Sequence, residues 1–132
     1  MKAGKGAGKK GNELTIKKKR TREEVLASFT KKYKVGQVLR VPIAHGEGNY
    51  FTEPDALKRL EDNRQVLVRY VDEKGQTTDA SNPNGSLHNI AGITNDKRNV
   101  FGLMPHPERA SETALGSTDG KNMLLSIVES LS

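Results

Sequence analysis

Apolar positions in this chain come in short bursts, and the spacing inside each burst predicts an element. Residues 37–44 alternate well enough for a strand, and Pro42 places it near an edge or a strand end, because proline cannot donate to a ladder. In residues 53–62, Ala56, Leu57 and Leu60 recur on one side at helical spacing, with Thr52 as the expected cap. Residues 65–71 form a β-rich run that stops at a turn over 72–75. A short strand is expected at 90–94, a hairpin-like turn at 95–99 and another strand at 100–104. The densest turn signal is Ser81-Asn82-Pro83-Asn84-Gly85-Ser86. From residue 119 or 120 to 131 the pattern predicts a closing helix built on Met123, Leu124, Ile127, Val128 and Leu131.

The first third reads differently. Residues 1–12 are mainly Gly, Lys and Ala, with almost no apolar surface to offset the entropy of ordering a backbone. Further on, Thr21 and Glu24 have the spacing of a capping box, and Val25, Leu26 and Phe29 suit one face of a short helix. The expected organisation is a basic, disordered extension over residues 1–28 and a single small domain over 29–132.

Charge sharpens this division. The chain has 132 residues and a formal net charge of +6. Residues 1–34 hold twelve basic and three acidic side chains, a balance of +9, while the rest holds ten and thirteen, a balance of −3. Clustered Lys and Arg can bind phosphates through counterion release, so weak, non-specific nucleic-acid binding by the tail is one reading; a solvated extension is the other. No aromatic side chain precedes Phe29 to stack on bases. The sequence has no cysteine, which excludes disulfides, thiolate metal sites and a cysteine nucleophile within these residues. No apolar run nears the ~20 residues of a membrane helix, so no membrane partner and a soluble, cytoplasmic protein are expected.

The strongest chemical signal is Gly102-Leu103-Met104-Pro105-His106-Pro107-Glu108-Arg109. An apolar strand delivers His106 to its end, and Pro107 restrains the backbone on either side. Glu108 lies two residues on, so in an extended segment both side chains lean to one side, which suits a general base oriented by a carboxylate. A solvated histidine at a proline-rich turn is the simpler alternative. The loop His45-Gly46-Glu47-Gly48 is a second candidate, either bordering a site or only joining a strand to a helix. His45 and Glu47 alone are too few for a metal site. His88 reads as a polar loop residue. The amides of Asn84-Gly85-Ser86 suit either an anion or a plain turn.

These segments together resemble a known family. Pro42-Ile43-Ala44-His45-Gly46-Glu47-Gly48-Asn49-Tyr50, Arg69-Tyr70-Val71-Asp72 and Asn82-Pro83-Asn84-Gly85-Ser86 match it in order. So do Asn89-Ile90-Ala91-Gly92-Ile93, the run from Phe101 to Arg109, and Gly116-Ser117-Thr118-Asp119-Gly120. Over roughly residues 29–132 the chain resembles the C-terminal part of triad-type (class-I) glutamine amidotransferases, most closely the glutaminase subunit of phosphoribosylformylglycinamidine synthase.

The resemblance implies an α/β fold, the C-terminal section of a flavodoxin-like class-I domain whose other half supplies most of a parallel sheet. It implies glutamine as substrate, with a cysteine thiolate attacking the side-chain amide, His106 shuttling protons and Glu108 holding the imidazole. It also implies a synthetase subunit as partner, which takes the ammonia and holds the ATP and magnesium; no cofactor is expected in this chain. The family's cysteine lies in its N-terminal half, so these residues are expected to be inactive alone, as a truncated product or as one piece of a split enzyme beside a cysteine-bearing half. Apolar surface is expected where that half would pack. The alternative from another class is a non-enzymatic binding protein whose basic tail contacts nucleic acid.

Overall fold

The computed structural model describes residues 12–16, 29–44, 46 and 48–131. The short helix expected from Thr21 lies largely outside the described residues, as do His45 and Glu47. Five strands form one sheet: β1 (Asn12–Ile16), β2 (Val38–Val41), β3 (Val66–Val71), β4 (Ile90–Thr94) and β5 (Phe101–Leu103). Their order is β2-β1-β3-β4-β5, and every pairing is antiparallel. Two helices accompany them, α1 (Pro54–Asp62) and α2 (Lys121–Ser130).

β1 lies ahead of residue 29, the expected start of the domain. Asn12–Ile16 lies within the stretch assigned to a disordered extension, yet it is inserted between β2 and β3, with Asn12 opposite Val41 and Glu13 opposite Val71. With Leu14 and Ile16 its only apolar residues it gives little local signal; its order comes from ladders on both sides, with partners distant in sequence.

Other elements follow the pattern closely. β3 is buried at all six positions, five of them apolar or aromatic and the sixth, Arg69, paired with Glu61. β4 spans the expected residues, and β2 and β5 are shorter than expected by a few residues at their ends. The turn after β3 is held by Asp72, whose Oδ1 accepts from the amides of Lys74 and Gln76, both at 2.9 Å. The cap of α1 lies one residue later than expected. Glu53, in extended conformation, takes the N-cap position and Pro54 opens the helix, where a missing N–H leaves no bond unmade.

The core gathers Tyr33, Leu39, Val41, Ile43, Leu67, Val68, Tyr70, Ala91 and Met123, with Phe29, Val35, Phe101 and Leu103 packed against it. Phe29 stacks on Phe101 with ring centroids 5.1 Å apart.

α2 departs from its expected packing. It buries Met123 and Ser126, while Leu124, Leu125, Val128 and Leu131 are exposed, Leu131 by 82%. Hydrogen bonding selects this side: Ser126 Oγ accepts from the amide of Lys32 at 3.1 Å and donates to the carbonyl of Asn122 at 2.7 Å. A buried hydroxyl so satisfied is cheap to keep inside. The aliphatic row therefore faces outward, in keeping with the apolar surface expected where further structure would pack.

The segment before α2 lies along the outer side of β2. Arg40 donates its amide to Asp119 Oδ2 at 2.8 Å and accepts from Ser117 Oγ at 3.3 Å. Tyr33 donates its phenol to the Asp119 carbonyl at 2.6 Å. Burial pushes the Tyr33 hydroxyl up to about 12, so it remains a donor at any physiological pH.

Candidate active site

β5 ends at Leu103, and the chain beyond it is fixed at two points. The Met104 amide donates to the Ala91 carbonyl at 3.0 Å, extending the β4–β5 ladder. The His106 amide donates to the Pro42 carbonyl at 2.9 Å, which links the two ends of the strand order just beyond β2. His106 is thus anchored by its own backbone to the sheet.

Glu108 reaches His106 by a different route from the one the spacing suggests. The residues after His106 are not extended. Pro107–Ala110 forms a 3-10 turn with His106 as its N-cap, at φ −110 and ψ 88. The Arg109 amide closes the turn on the His106 carbonyl at 3.0 Å, and Ser111 Oγ donates to the Glu108 carbonyl at 2.9 Å. Pro107 favours this turn because its fixed φ suits a first helical position. The result is a 2.8 Å contact between His106 Nδ1 and Glu108 Oε2. With Nδ1 carrying the proton towards the carboxylate, Nε2 is the nitrogen left to exchange protons. His106 is about one-third exposed, so a substrate can reach it.

Burial tends to raise the Glu108 carboxyl, but the hydrogen bond from His106, a backbone amide, and the charges of His106 and Arg109 outweigh it. The group is held below the usual carboxylate range. Its folded value lies below its unfolded one, so the pair's small contribution to stability is present above the usual range and is lost as pH falls through Glu108's own midpoint. Carboxyl NMR titration should therefore show Glu108 titrating below a peptide glutamate, and His106→Ala should move the midpoint up. An unmoved midpoint would show that His106 does not hold the carboxylate.

The second candidate loop is described only in part. Gly46 has φ +52 in open space, a conformation that favours glycine, and Gly48 accepts from Asn84 Nδ2 at 2.7 Å. Tyr50 is tied to the same turn: its amide donates to Ser86 Oγ at 3.0 Å and its carbonyl accepts from Leu87 at 3.0 Å. Within that turn Asn82 Oδ1 accepts from the amides of Asn84 and Gly85, and Asn84 Oδ1 from that of Ser86. All three amides are committed to side chains, so the plain-turn reading holds over the anion reading.

His88, read from the sequence as a polar loop residue, has a partner. Its Nδ1 is 2.9 Å from Glu61 Oε2, and its carbonyl accepts from Arg69 Nη1 at 2.7 Å. Arg69 Nη2 pairs with the other oxygen of Glu61. His88 and Asn89 both have positive φ, at 51 and 57 degrees. The Asn89 side chain supports this by donating to the carbonyls of Tyr70 and Thr78. Only the density of Asn and Ser around residue 85 hinted at this network, and it gave no partners.

A cavity of about 220 Å³ opens beside β4 and β5, lined in part by Tyr50, Ile90, Leu103 and Met104. None of its lining residues is charged, so by itself it lacks an anchor for the ammonium or carboxylate of an amino acid. Among the described residues no group of three or more His, Asp or Glu is placed to hold a metal ion. No helix among them is long and apolar enough to cross a membrane.

The sequence matches the profile of the CobB/CobQ-like glutamine amidotransferase domain over residues 15–124, a span that includes His106 and Glu108. The chain belongs to this family. The match begins at residue 15, ahead of the roughly 29–132 that carry the sequence resemblance, which agrees with the place of β1 in the sheet. The amidotransferase resemblance extends to individual proteins. The chain is 57% identical over 107 residues to phosphoribosylformylglycinamidine synthase subunit PurQ of Methanosarcina barkeri, covering 81% of this chain and 46% of that protein. It is 59% identical over 98 residues to the PurQ subunit of Synechocystis, covering 74% of this chain and 44% of that one. The solved structure of PurLQS from Thermotoga maritima includes a chain that matches with a TM-score of 0.68 and 37% identity. That match covers 96% of this chain and 50% of the other. The amidotransferase chain described here thus spans about half the length of the relatives it matches.

Proposed function

We propose that these 132 residues are the C-terminal part of the glutaminase subunit of phosphoribosylformylglycinamidine synthase, which releases ammonia from glutamine for purine biosynthesis. The observation that supports this most is the 57% identity to a PurQ subunit across 81% of the chain. The His106–Glu108 pair suits the reaction. A cysteine thiol passes its proton to His106 Nε2 as its sulfur attacks the glutamine side-chain amide carbon, and the C–N bond breaks as Nε2 gives that proton to the departing nitrogen. Water, deprotonated by the same nitrogen, then releases glutamate from the thioester. Glu108 keeps the imidazole in the tautomer this requires. The thiolate must come from outside these residues, which contain no cysteine. A synthetase subunit, with its own ATP and magnesium, would consume the ammonia.

The test is ammonia release from glutamine. The chain alone should stay at background. Mixed with the cysteine-bearing remainder of a PurQ relative, it should gain activity that a Cys→Ala control abolishes. A well-folded complex without activity would overturn the reading.

A further inference from the structure

A glycine fourteen residues after His106 packs against the turn that carries Glu108. Gly120 has φ −83 and ψ −12, a conformation open to any L-residue, so its backbone does not call for glycine. Space does. A Cβ added at Gly120 would stand 2.2 Å from the Pro107 carbonyl oxygen, 2.7 Å from its Cα and 2.8 Å from its carbonyl carbon. Those atoms are main chain, and Pro107 sits between His106 and Glu108, so no side-chain rotation relieves the overlap. The Gly120 amide also donates to the Ala110 carbonyl at 2.8 Å, so Gly120 bears on both ends of the 3-10 turn.

Gly120 is itself held. Asp119 is bound by the Arg40 amide at its carboxylate and by the buried Tyr33 phenol at its carbonyl. On the other side the amide of buried Met123 donates to the Gly120 carbonyl at 3.2 Å. The same residue is therefore clamped to the core and pressed against the turn that carries Glu108.

We propose that Gly120, clamped through Asp119, is a positioning residue that sets the approach of Glu108 to His106 by direct backbone packing on Pro107. Its meaning for catalysis rests on the proposed glutaminase reading. The geometric claim does not, and the experiment below uses no activity.

The full chain, labelled for carboxyl and imidazole NMR, is titrated as wild type and as variants. In Gly120→Ala the Glu108 midpoint should rise most of the way to the value in His106→Ala, and the His106 ring nitrogens should lose their bias towards the Nδ1–H tautomer. Gly102→Ala, where an added Cβ meets nothing within 4 Å, should leave both unchanged. Asp119→Ala removes the carboxylate half of the clamp, leaving the Tyr33 bond to the main-chain carbonyl, adds no overlap, and should shift both in the same direction by less. If Gly120→Ala does not fold, Asp119→Ala decides. A folded Gly120→Ala or, failing that, a folded Asp119→Ala that keeps the wild-type titration and tautomer would overturn the proposal, even with a lowered melting temperature. Failure of the glutaminase reading would appear separately, in the ammonia assay.

Discussion

Replacing His106 with alanine in the reassembled glutaminase is expected to lower ammonia release by roughly 10³–10⁴-fold, the upper part of the range for a positioned acid–base group. No neighbouring side chain in the turn offers a substitute: Pro107 has none to offer, and Glu108, held below the usual carboxylate range, is a poor proton donor at neutral pH. Glu108→Gln should cost less. A hydrogen bond to a charged group is worth about 1.5–3 kcal/mol, which corresponds to roughly 10- to 150-fold in rate. Glu108 is more than half exposed, so solvent screening points to the lower end. The measurement is kcat for ammonia release, with substrate saturating. Equal losses in the two variants would mean that the carboxylate does more than orient the ring. Indifference to His106→Ala would remove the pair from the mechanism.

The second large effect concerns stability. Glu61→Ala should lower the free energy of unfolding by roughly 2–4 kcal/mol, because removing one partner leaves the other's charge uncompensated in a poorly solvated place. That other partner is Arg69, whose side chain is 9% exposed and whose Nη1 already serves the His88 carbonyl. The loss should appear as a lower urea midpoint with an unchanged slope. Glu61→Gln retains an acceptor and should lose less. A change below about 1 kcal/mol in Glu61→Ala would show that water reaches Arg69 and solvates it, as at an exposed pair.

Much of this architecture is legible in the sequence wherever the signal is local. β4 at 90–94 and α1 near 53–62 follow from spacing bounded by turn residues, and the His106–Glu108 pairing from proximity in the chain. What is not legible depends on distant partners. β1 has only two apolar residues, Leu14 and Ile16, and is ordered by strands on both sides. α2 carries an apolar row that periodicity would bury, yet Ser126 finds Lys32 across 94 residues and turns that row outward. Asp119 meets Arg40 and Tyr33 across 79 and 86 residues, so its role as a clamp has no local signature. Even at the His106–Glu108 pair the local rule holds only in part, since a 3-10 turn and not an extended segment brings Glu108 to His106.

The contacts that hold residues 117–119 against β2 also bear on self-association. A bare outer strand offers another chain a row of amides and carbonyls to pair with. At Arg40 both outward groups are already occupied, the N–H by a carboxylate and the C=O by a hydroxyl. The carboxylate adds a negative charge where an incoming strand would have to dock. At the opposite margin β5 has only three residues, too short a template for stable strand addition. The segment that fastens Gly120 in place therefore also occupies the main-chain groups at Arg40 that an incoming strand would need.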